Sequence, residues 1–349
     1  MSHALSATSV LDSLRSSRAA EAILDEHEWS VDHWDEALSA CEPIPSVRVL
    51  SLPSMPWTRA TLTRFATVLP DVESLTIRWR GAADVARLTL REAIAPWWGT
   101  KLTALVCDFV HAWGAEDSVA EAPAFASTLT VFRARHLRHD ECVKALRAFG
   151  SLSRLVELDA GRIGDTRALF EHLPAIRSLS CEVDAKFGLD VSFESETIES
   201  LAIAVHPRPA ASSLRVRGAV ASLRRLTLLH SKEGGLDLDS LGALASSARA
   251  PLEFAQIEAA DAWRIAASLG AAVHDRHGAG PARMTIRRTV PSDPRRKRPL
   301  LRALTTSCGC VRCARWARRS SRRVGSRCSI ATRTWTRSPG RSPRSKSSI

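Results

Sequence analysis

The chain has 349 residues, of which 45% are hydrophobic and 25% charged, a composition typical of a soluble globular protein that buries a sizeable core. No apolar run approaches the roughly 18 residues that a membrane-spanning helix needs. The N-terminus MSHALSATSVLDSLRSS also lacks the charged start and apolar stretch of a secretory signal. These features exclude a helical membrane protein, and we expect a cytoplasmic location.

Charge is distributed very unevenly along the chain. Residues 287–349 hold 19 Lys and Arg but a single acid, Asp293, which leaves 30 bases and 36 acids in residues 1–286. The net charge of +12 and the high isoelectric point therefore describe only the C-terminal segment. The body of the chain has a net charge of −6 and is mildly acidic.

Residues 1–46 differ in pattern from the remainder of the chain. Two stretches, LDSLRSSRAAEAILDEHEW and VDHWDEALSAC, have helical periodicity, and Leu11, Leu14, Ile23 and Leu24 supply an apolar face. We expect a helical N-terminal cap over the first coil of the domain that begins at residue 47. A separate recognition module is the alternative.

A short apolar phrase, with the spacing Leu-x-x-Leu-x-Leu, recurs nine times between Val47 and Ile257. Its successive first positions lie 25, 30, 27, 26, 21, 22, 25 and 29 residues apart. The last two positions of each phrase alternate as in a short strand. A period in this range is typical of a stacked solenoid. The nine phrases are Val47/Leu50/Leu52, Val72/Leu75/Ile77, Leu102/Leu105/Cys107, Leu129/Phe132/Ala134, Leu155/Leu158/Ala160, Ile176/Leu179/Cys181, Ile198/Leu201/Ile203, Leu223/Leu226/Leu228 and Leu252/Ala255/Ile257.

Segments with helical character separate the phrases. Five of them open with an aspartate, a good helix N-cap because its carboxylate accepts a bond from a first-turn N–H. These residues are Asp84, Asp140, Asp165, Asp237 and Asp261. Each strand-and-helix unit has an apolar side that it cannot bury alone, and stacking the units buries it.

This pattern resembles the leucine-rich repeat family in its irregular, ribonuclease-inhibitor-like form, over residues 47–286. The resemblance implies an α/β horseshoe solenoid of about nine to ten repeats. One departure is clear, since the chain contains no Asn and therefore lacks the family's side-chain ladder between neighbouring coils. A non-repeating α/β domain is the alternative architecture.

The resemblance also implies where a partner binds, because residues between and after the apolar positions face the concave side of the sheet. Basic residues occupy these places in the second and fourth phrases, and acidic residues in the fifth and sixth. A basic patch beside an acidic one suits a protein partner of complementary charge. Solvated charges with no partner are the alternative. The predicted partner-binding residues are Arg78, Arg80, Arg133, Arg135, Glu157, Asp159, Glu182 and Asp184.

Signals for chemistry are weak. No G-x-S-x-G, HExxH or phosphate-binding glycine loop occurs. Cys308, Cys310, Cys313 and Cys328 could supply thiolates to zinc, but the first spacing is too tight for a usual site. His274-Asp275-Arg276-His277, beside Gly278, is interpreted as a polar loop. We therefore predict no catalytic residue, metal or cofactor, and a protein-interaction scaffold that is not an enzyme.

The segment 287–349 has three interpretations. Its 19 bases, with Trp316 and Trp335 available for stacking, are typical of a nucleic-acid-binding arm, which is the alternative function. Its composition is also that of a disordered tail. The third interpretation is a frameshift. The chain has 43 Arg against 6 Lys and no Tyr, which indicates a GC-rich, bacterial gene, and out-of-frame translation of such a gene yields Arg, Ser, Pro and Cys.

The frameshift hypothesis can be illustrated by assigning ordinary GC-rich codons to Ser320–Ile349. Translation of these assigned codons from two nucleotides further on gives a segment rich in acids, Leu and Val that ends in the phrase LAALEVLD. The hypothesis therefore places a shift of reading frame between about Thr285 and Thr306.

Overall fold

A large parallel β-sheet covered on one side by helices forms the described part of the protein. In the computed structural model this part comprises residues 6–24, 30–79, 88–108, 122–137, 141–163, 166–170, 172–184, 190–206, 214–230, 236–259, 261–288 and 333–335. No helix in these ranges is long and apolar enough to cross a membrane.

Eleven strands run parallel in the main sheet, and their spatial order follows their order in the chain. They are β1 (Glu21–Ile23), β2 (Val49–Met55), β3 (Ser74–Trp79), β4 (Ala104–Asp108), β5 (Val131–Arg133), β6 (Glu157–Ile163), β7 (Ser178–Asp184), β9 (Ser200–His206), β11 (Arg225–His230), β12 (Phe254–Ala259) and β13 (Arg283–Arg288). A short strand, β14 (Arg333–Trp335), pairs antiparallel with β13. β8 (Asp190–Ser195) and β10 (Arg215–Val220) form a separate two-stranded sheet.

Helices make most of the connections between strands. They are α1 (Ala7–Ser17), α2 (Val31–Ser39), α3 (Arg59–Val68), α4 (Leu90–Ile94), α5 (Glu141–Phe149), α6 (Arg167–Phe170), α7 (Leu238–Ser246) and α8 (Ala262–His277). Two 3-10 turns, Ala95–Trp97 and Ala124–Ser127, follow α4 and precede β5.

The apolar phrases meet in one interior. The middle residue of each phrase lies in register with the middle residue of the next strand, and each of them is at most 1% exposed. The prediction that the phrases share one core is confirmed by this row. Its members are Leu50, Leu75, Leu105, Phe132, Leu158, Leu179, Leu201, Leu226 and Ala255.

The covering layer completes the same core. Phe125 and Phe149 stack edge-to-face with ring centroids 5.5 Å apart, and Phe132 of β5 contacts Phe149 at 5.4 Å. Helices α7 and α8 approach closely at Gly242, where an added Cβ would lie 2.9 Å from the Ala272 methyl. The sheet and its covering layer therefore form one continuous apolar cluster.

Strands replace helices in the middle of the covering layer. Here β8 and β10 pair in parallel and bury Val191, Phe193 and Val216 in the main core. The sequence pattern did not predict these two strands. Gly218 makes the pairing possible, because its φ is +123° and a Cβ there would lie 1.9 Å from the Phe193 carbonyl oxygen.

Main-chain bonds, rather than Asn side chains, tie neighbouring units together at the amino ends of the strands. The Glu73 carbonyl accepts bonds from the N–H groups of Thr103 and Ala104, at 2.7 and 3.2 Å. Thr103 adds a bond from its own hydroxyl to the same carbonyl, at 3.1 Å. The same paired acceptance repeats at the carbonyls of Arg48, Thr103, Thr130, Val156, Arg177, Glu199 and Arg224.

The N-terminal segment contributes a strand as well as the expected helices. Strand β1 pairs in parallel with β2, with Ala22 opposite Leu50. Ser6 is the N-cap of helix α1, and its hydroxyl accepts a bond from the Ser9 N–H. Trp34 of α2 packs on Phe65 of α3 with ring centroids 5.4 Å apart, so this segment shares the core of the remaining chain.

Candidate functional site

The face of the main sheet that points away from the core is called the outer face. Its side chains alternate along each strand with the core residues, as the pleat requires. Strand pairing aligns them in rows that cross the sheet. The central row comprises Ser51, Thr76, Val106, Arg133, Asp159, Ser180, Ala202, Thr227, Gln256 and Thr285.

Arginine–carboxylate pairs link β5, β6 and β7 across the outer face. Arg133 donates from Nε to Glu157 Oε1 at 2.6 Å, and Arg135 donates from Nε to the Asp159 carboxylate. On the next strand pair, Arg162 Nε lies 3.4 Å from Glu182 Oε2. Neighbouring strands are about 4.8 Å apart, which brings opposite charges on adjacent strands within bonding distance.

A β-bulge in β6 sets the position of the third pair. The register between β6 and β7 shifts between Asp159 and Arg162, so that Arg162 lies opposite Glu182. Gly161 allows the bulge, since its φ is +50° and an added Cβ would lie 2.3 Å from the Arg135 carbonyl oxygen. The same glycine therefore fixes both the bulge and the close approach of the chain segment that carries Arg135.

Asp159 is the most deeply placed charge of the group. It is 5% exposed, and burial raises the pKa of its carboxyl group, although the positive charges of Arg135 and Arg133 act in the opposite direction. A buried carboxylate needs such partners, because transfer of an unpaired charge out of water is costly. The pair with Arg135 is therefore part of the fold as well as of the surface.

The structure brings five of the eight predicted residues into this group, namely Arg133, Arg135, Glu157, Asp159 and Glu182. Arg78 lies two strands away in β3, opposite Asp108 of β4. Arg80 lies outside the described residues. Asp184 ends β7 opposite His206, and its side chain lies outside the described part.

The predicted basic and acidic patches are arranged differently from the expectation. Arg133 and Arg135 bond to Glu157 and Asp159 instead of standing beside them as a separate positive surface. The sequence pattern did not indicate Arg162, nor the contact between His136 Nε2 and Asp108 Oδ1, at 3.1 Å. The bulge at Gly161 hid Arg162, because strict alternation places that residue on the other side of the strand.

The outer face changes character beyond β7. Ala204 of β9 and Leu229 of β11 are neighbours and form a small buried apolar cluster with Ala202. Thr227, between the two core residues of β11, is 4% exposed. The face thus has a charged part on β3–β7 and a mainly uncharged part on β9 and β11.

The cysteines of the body are placed for packing. Cys107, Cys142 and Cys181 are buried, and burial raises the pKa of the Cys142 thiol to about 12 and that of the other two well above the ordinary value. Thiolate, the nucleophilic form, is therefore strongly disfavoured at these positions.

Within the described ranges, no three His, Cys, Asp or Glu side chains are grouped to hold a metal ion. The four tail cysteines at 308, 310, 313 and 328 lie outside those ranges. The interpretation of His274–His277 as a loop was wrong, because these residues form the last turn of α8. Gly278, with φ +68°, provides the left-handed C-cap that ends this helix.

Comparison with known proteins does not assign the chain to a family. No protein-family model matches the chain, and no curated protein sequence is significantly similar to it.

Proposed function

We propose that the chain is an irregular leucine-rich-repeat solenoid that acts as a non-catalytic scaffold, binding a protein partner on the charged part of its outer face. The observation that carries the proposal is the set of arginine–carboxylate pairs on β5, β6 and β7, aimed away from the core. The partner's surface would carry a complementary series of charges.

Strand order supports the solenoid. Each of β2 to β7 pairs with the strand that precedes it in the chain, always in parallel. A parallel neighbour requires a connection that returns over the covering layer, so every step repeats the same path. In repeat proteins of this kind, each unit contacts mainly its neighbours, and the accumulated face provides a long binding surface.

The charged pairs support recognition because their geometry is already fixed. A guanidinium presents its N–H donors in a rigid planar fork that matches the geometry of a carboxylate. The Arg133 and Arg135 side chains are 26% and 24% exposed, so they are restrained yet reachable. A partner that binds them loses little further side-chain entropy.

A charge swap tests the proposal without removing the pair. The variant R133E/E157R keeps an ion pair between β5 and β6 but reverses its direction on the outer face. The matched control R224E/E253R swaps a rim pair, at 3.2 Å, just before β11 and β12. With lysate of the source cells, we expect the outer-face swap to abolish capture of a specific protein that the unaltered chain and the rim swap both retain. Equal capture by all three chains would contradict the proposal.

The alternative function, nucleic-acid binding through residues 287–349, is favoured only by their charge. Such binding would weaken steeply with added salt and disappear when residues 287–349 are deleted. If the truncated chain still binds duplex DNA, the DNA-binding surface lies in the body of the chain instead.

A further inference from the structure

Positive charge returns to the outer face at β11, β12 and β13, in a row of three side chains. Arg225 lies opposite Phe254, and Phe254 lies opposite Arg283. Each of the three is followed along its strand by a residue of the core row, so all three lie on the face that points away from the core. Neighbouring strands are about 4.8 Å apart, which separates the two arginine Cα atoms by about 10 Å. These three residues are called the Arg-Phe-Arg row.

The two arginines of this row are available to a ligand. Both are exposed, and neither forms an ion pair or a side-chain hydrogen bond with any other residue of the described ranges. The carboxylate next to the ring in the sequence does not neutralise them, because Glu253 Oε1 bonds to Arg224 Nη1 at 3.2 Å. The row therefore keeps two positive charges that no acid balances.

The ring of the row suits an unpaired base. Phe254 is only half-buried, and within the described part of the chain it stacks on no other aromatic side chain. A base can stack on an accessible ring of a sheet whatever its sequence, because every base has a π-face. Gln256 and Thr285 lie opposite each other in the next row of the same face, and both are partly exposed. Their amide and hydroxyl groups can donate and accept hydrogen bonds, as base edges require.

The chain continues from this row into the most basic segment of the sequence. Residues 289–349 hold 17 Lys and Arg and a single acid, Asp293. They lie outside the described ranges apart from β14, whose backbone places Thr334 opposite Thr285 of β13. The row and the basic segment therefore meet at one edge of the sheet, and both have the sign of charge that attracts a polyanion.

We propose that the Arg-Phe-Arg row binds single-stranded nucleic acid, with a base stacked on Phe254 and with phosphates on Arg225 and Arg283. The phosphate contacts supply affinity, and stacking selects a strand whose bases are unpaired. An acidic protein segment would use the two arginines but not the ring between them, so the ring favours nucleic acid. The site shares no residue with the arginine–carboxylate pairs of β5 to β7.

Neutralisation of the two arginines tests the phosphate contacts. The full chain is titrated onto a labelled single strand of about 20 nucleotides, and fluorescence anisotropy is measured at several salt concentrations. The variant R225Q/R283Q should bind at least tenfold more weakly, and the slope of log affinity against log salt should decrease by about 1.4, or about 0.7 for each phosphate contact. The matched control R215Q/R217Q removes two exposed arginines from the covering layer. Equal effects of the two variants would overturn the proposal.

Substitution of the ring tests stacking without a change in charge. F254L keeps an apolar side chain, and thermal unfolding verifies that the variant is folded. We expect F254L to weaken binding of the single strand by about fivefold or more, whereas F254W should retain it. A duplex of the same length should bind more weakly than the single strand and should not respond to F254L. Unchanged binding of the single strand by F254L would overturn the proposal.

Two further measurements separate this site from other sources of binding. Polyglutamate at equal charge should displace the labelled strand much less than an unlabelled strand does, and equal displacement would assign the row to an acidic protein instead. Photocrosslinking of the full chain to a strand containing iodouracil should label the peptide 250–264, which contains Phe254. Crosslinks confined to residues 289–349 would overturn the proposal.

The partner-binding proposal can fail or stand independently of this one. The variant R133E/E157R, which should abolish capture of a protein partner, should bind the single strand like the unaltered chain. Conversely, R225Q/R283Q should retain capture of the protein partner. Loss of single-strand binding in R133E/E157R would place the nucleic acid on β5 and β6 and would overturn the assignment to the Arg-Phe-Arg row.

Discussion

Arg135, just past the end of β5, donates a hydrogen bond to Asp159 in the neighbouring strand β6, and Asp159 is almost completely buried. The two side chains are 24 residues apart in the chain. Two of the predicted partner-binding residues therefore also contribute to the stability of the sheet.

Removal of the arginine should therefore destabilise the protein. We expect R135A to lower the free energy of unfolding by about 1–3 kcal/mol, because a buried carboxylate is left without its main partner. Urea unfolding followed by circular dichroism measures this effect. The double variant R135A/D159A should recover part of the loss, and equal stability of R135A and the unaltered chain would show that the pair is dispensable.

The raised pKa of Asp159 predicts an unusual pH dependence. A carboxyl group whose pKa is higher in the folded state binds its proton more tightly there, so its stabilising contribution is complete below the ordinary pKa and decreases as pH rises through the folded value. The stability of the unaltered chain relative to D159N should therefore increase on acidification from neutral pH. Urea unfolding of both chains between pH 3.5 and pH 7 measures the difference, and an opposite trend would show that the arginines dominate over burial.

Truncation of two side chains in the same core row should lower the free energy of unfolding by different amounts. L201A removes a fully buried side chain from the middle of the sheet, and we expect a loss of about 2–5 kcal/mol. M284A at the end of the same row should cost less than about 1.5 kcal/mol, because Met284 is only partly buried. Similar losses for both variants would mean that β13 is as well enclosed as β9.

Gly218 should not tolerate a side chain. In G218A the new methyl group would overlap the Phe193 backbone, and φ +123° is strained for alanine, so we expect a loss of about 2–4 kcal/mol. Thermal unfolding provides the measurement. G99A is the matched control, since an added Cβ at Gly99 meets no atom within 4 Å. Equal melting of the two variants would contradict the β8–β10 pairing.

The four cysteines of the body of the chain should differ in their reactivity, with one accessible thiol and three protected ones. Cys41 is partly exposed, whereas Cys107, Cys142 and Cys181 are buried. Burial raises the pKa of all four thiols, so the difference in labelling comes from access to the reagent. Under native conditions at pH 8, iodoacetamide should label Cys41 at least tenfold faster than these three. Peptide mass spectrometry before and after addition of urea measures the labelling. Rapid native labelling of Cys142 would contradict its burial.

The sequence pattern predicted much of the sheet because the phrases repeat a local rule. Leu75, Leu105 and Leu201 each occupy the position that the phrase assigned to the core. Local patterns could not predict β1 or the β8–β10 pair, since these strands depend on what the neighbouring units leave uncovered. The aspartate caps were predicted in part. Asp237 accepts bonds from two backbone N–H groups of α7, but the side chain of Asp261 accepts no capping bond at α8.

The sequence predicted which residues belong to the candidate site better than it predicted how they pair. Alternation along the strands identified Arg133 and Glu157 as outward residues, and both lie on the outer face. Pairing across strands depends on register and on the bulge at Gly161, neither of which a single strand reveals. Charges that looked like two patches in the sequence are therefore counter-ions in space.

The main-chain bonds at carbonyls such as those of Glu73 and Thr103 have a consequence for how this architecture can change. A peptide group is present whatever residue is encoded, so the link between successive steps survives almost any substitution except proline at a donor position. Connections can consequently lengthen, shorten or exchange a helix for a strand while the steps stay aligned. Such a framework is open to insertion and deletion in evolution, at positions where a side-chain ladder would demand a fixed residue.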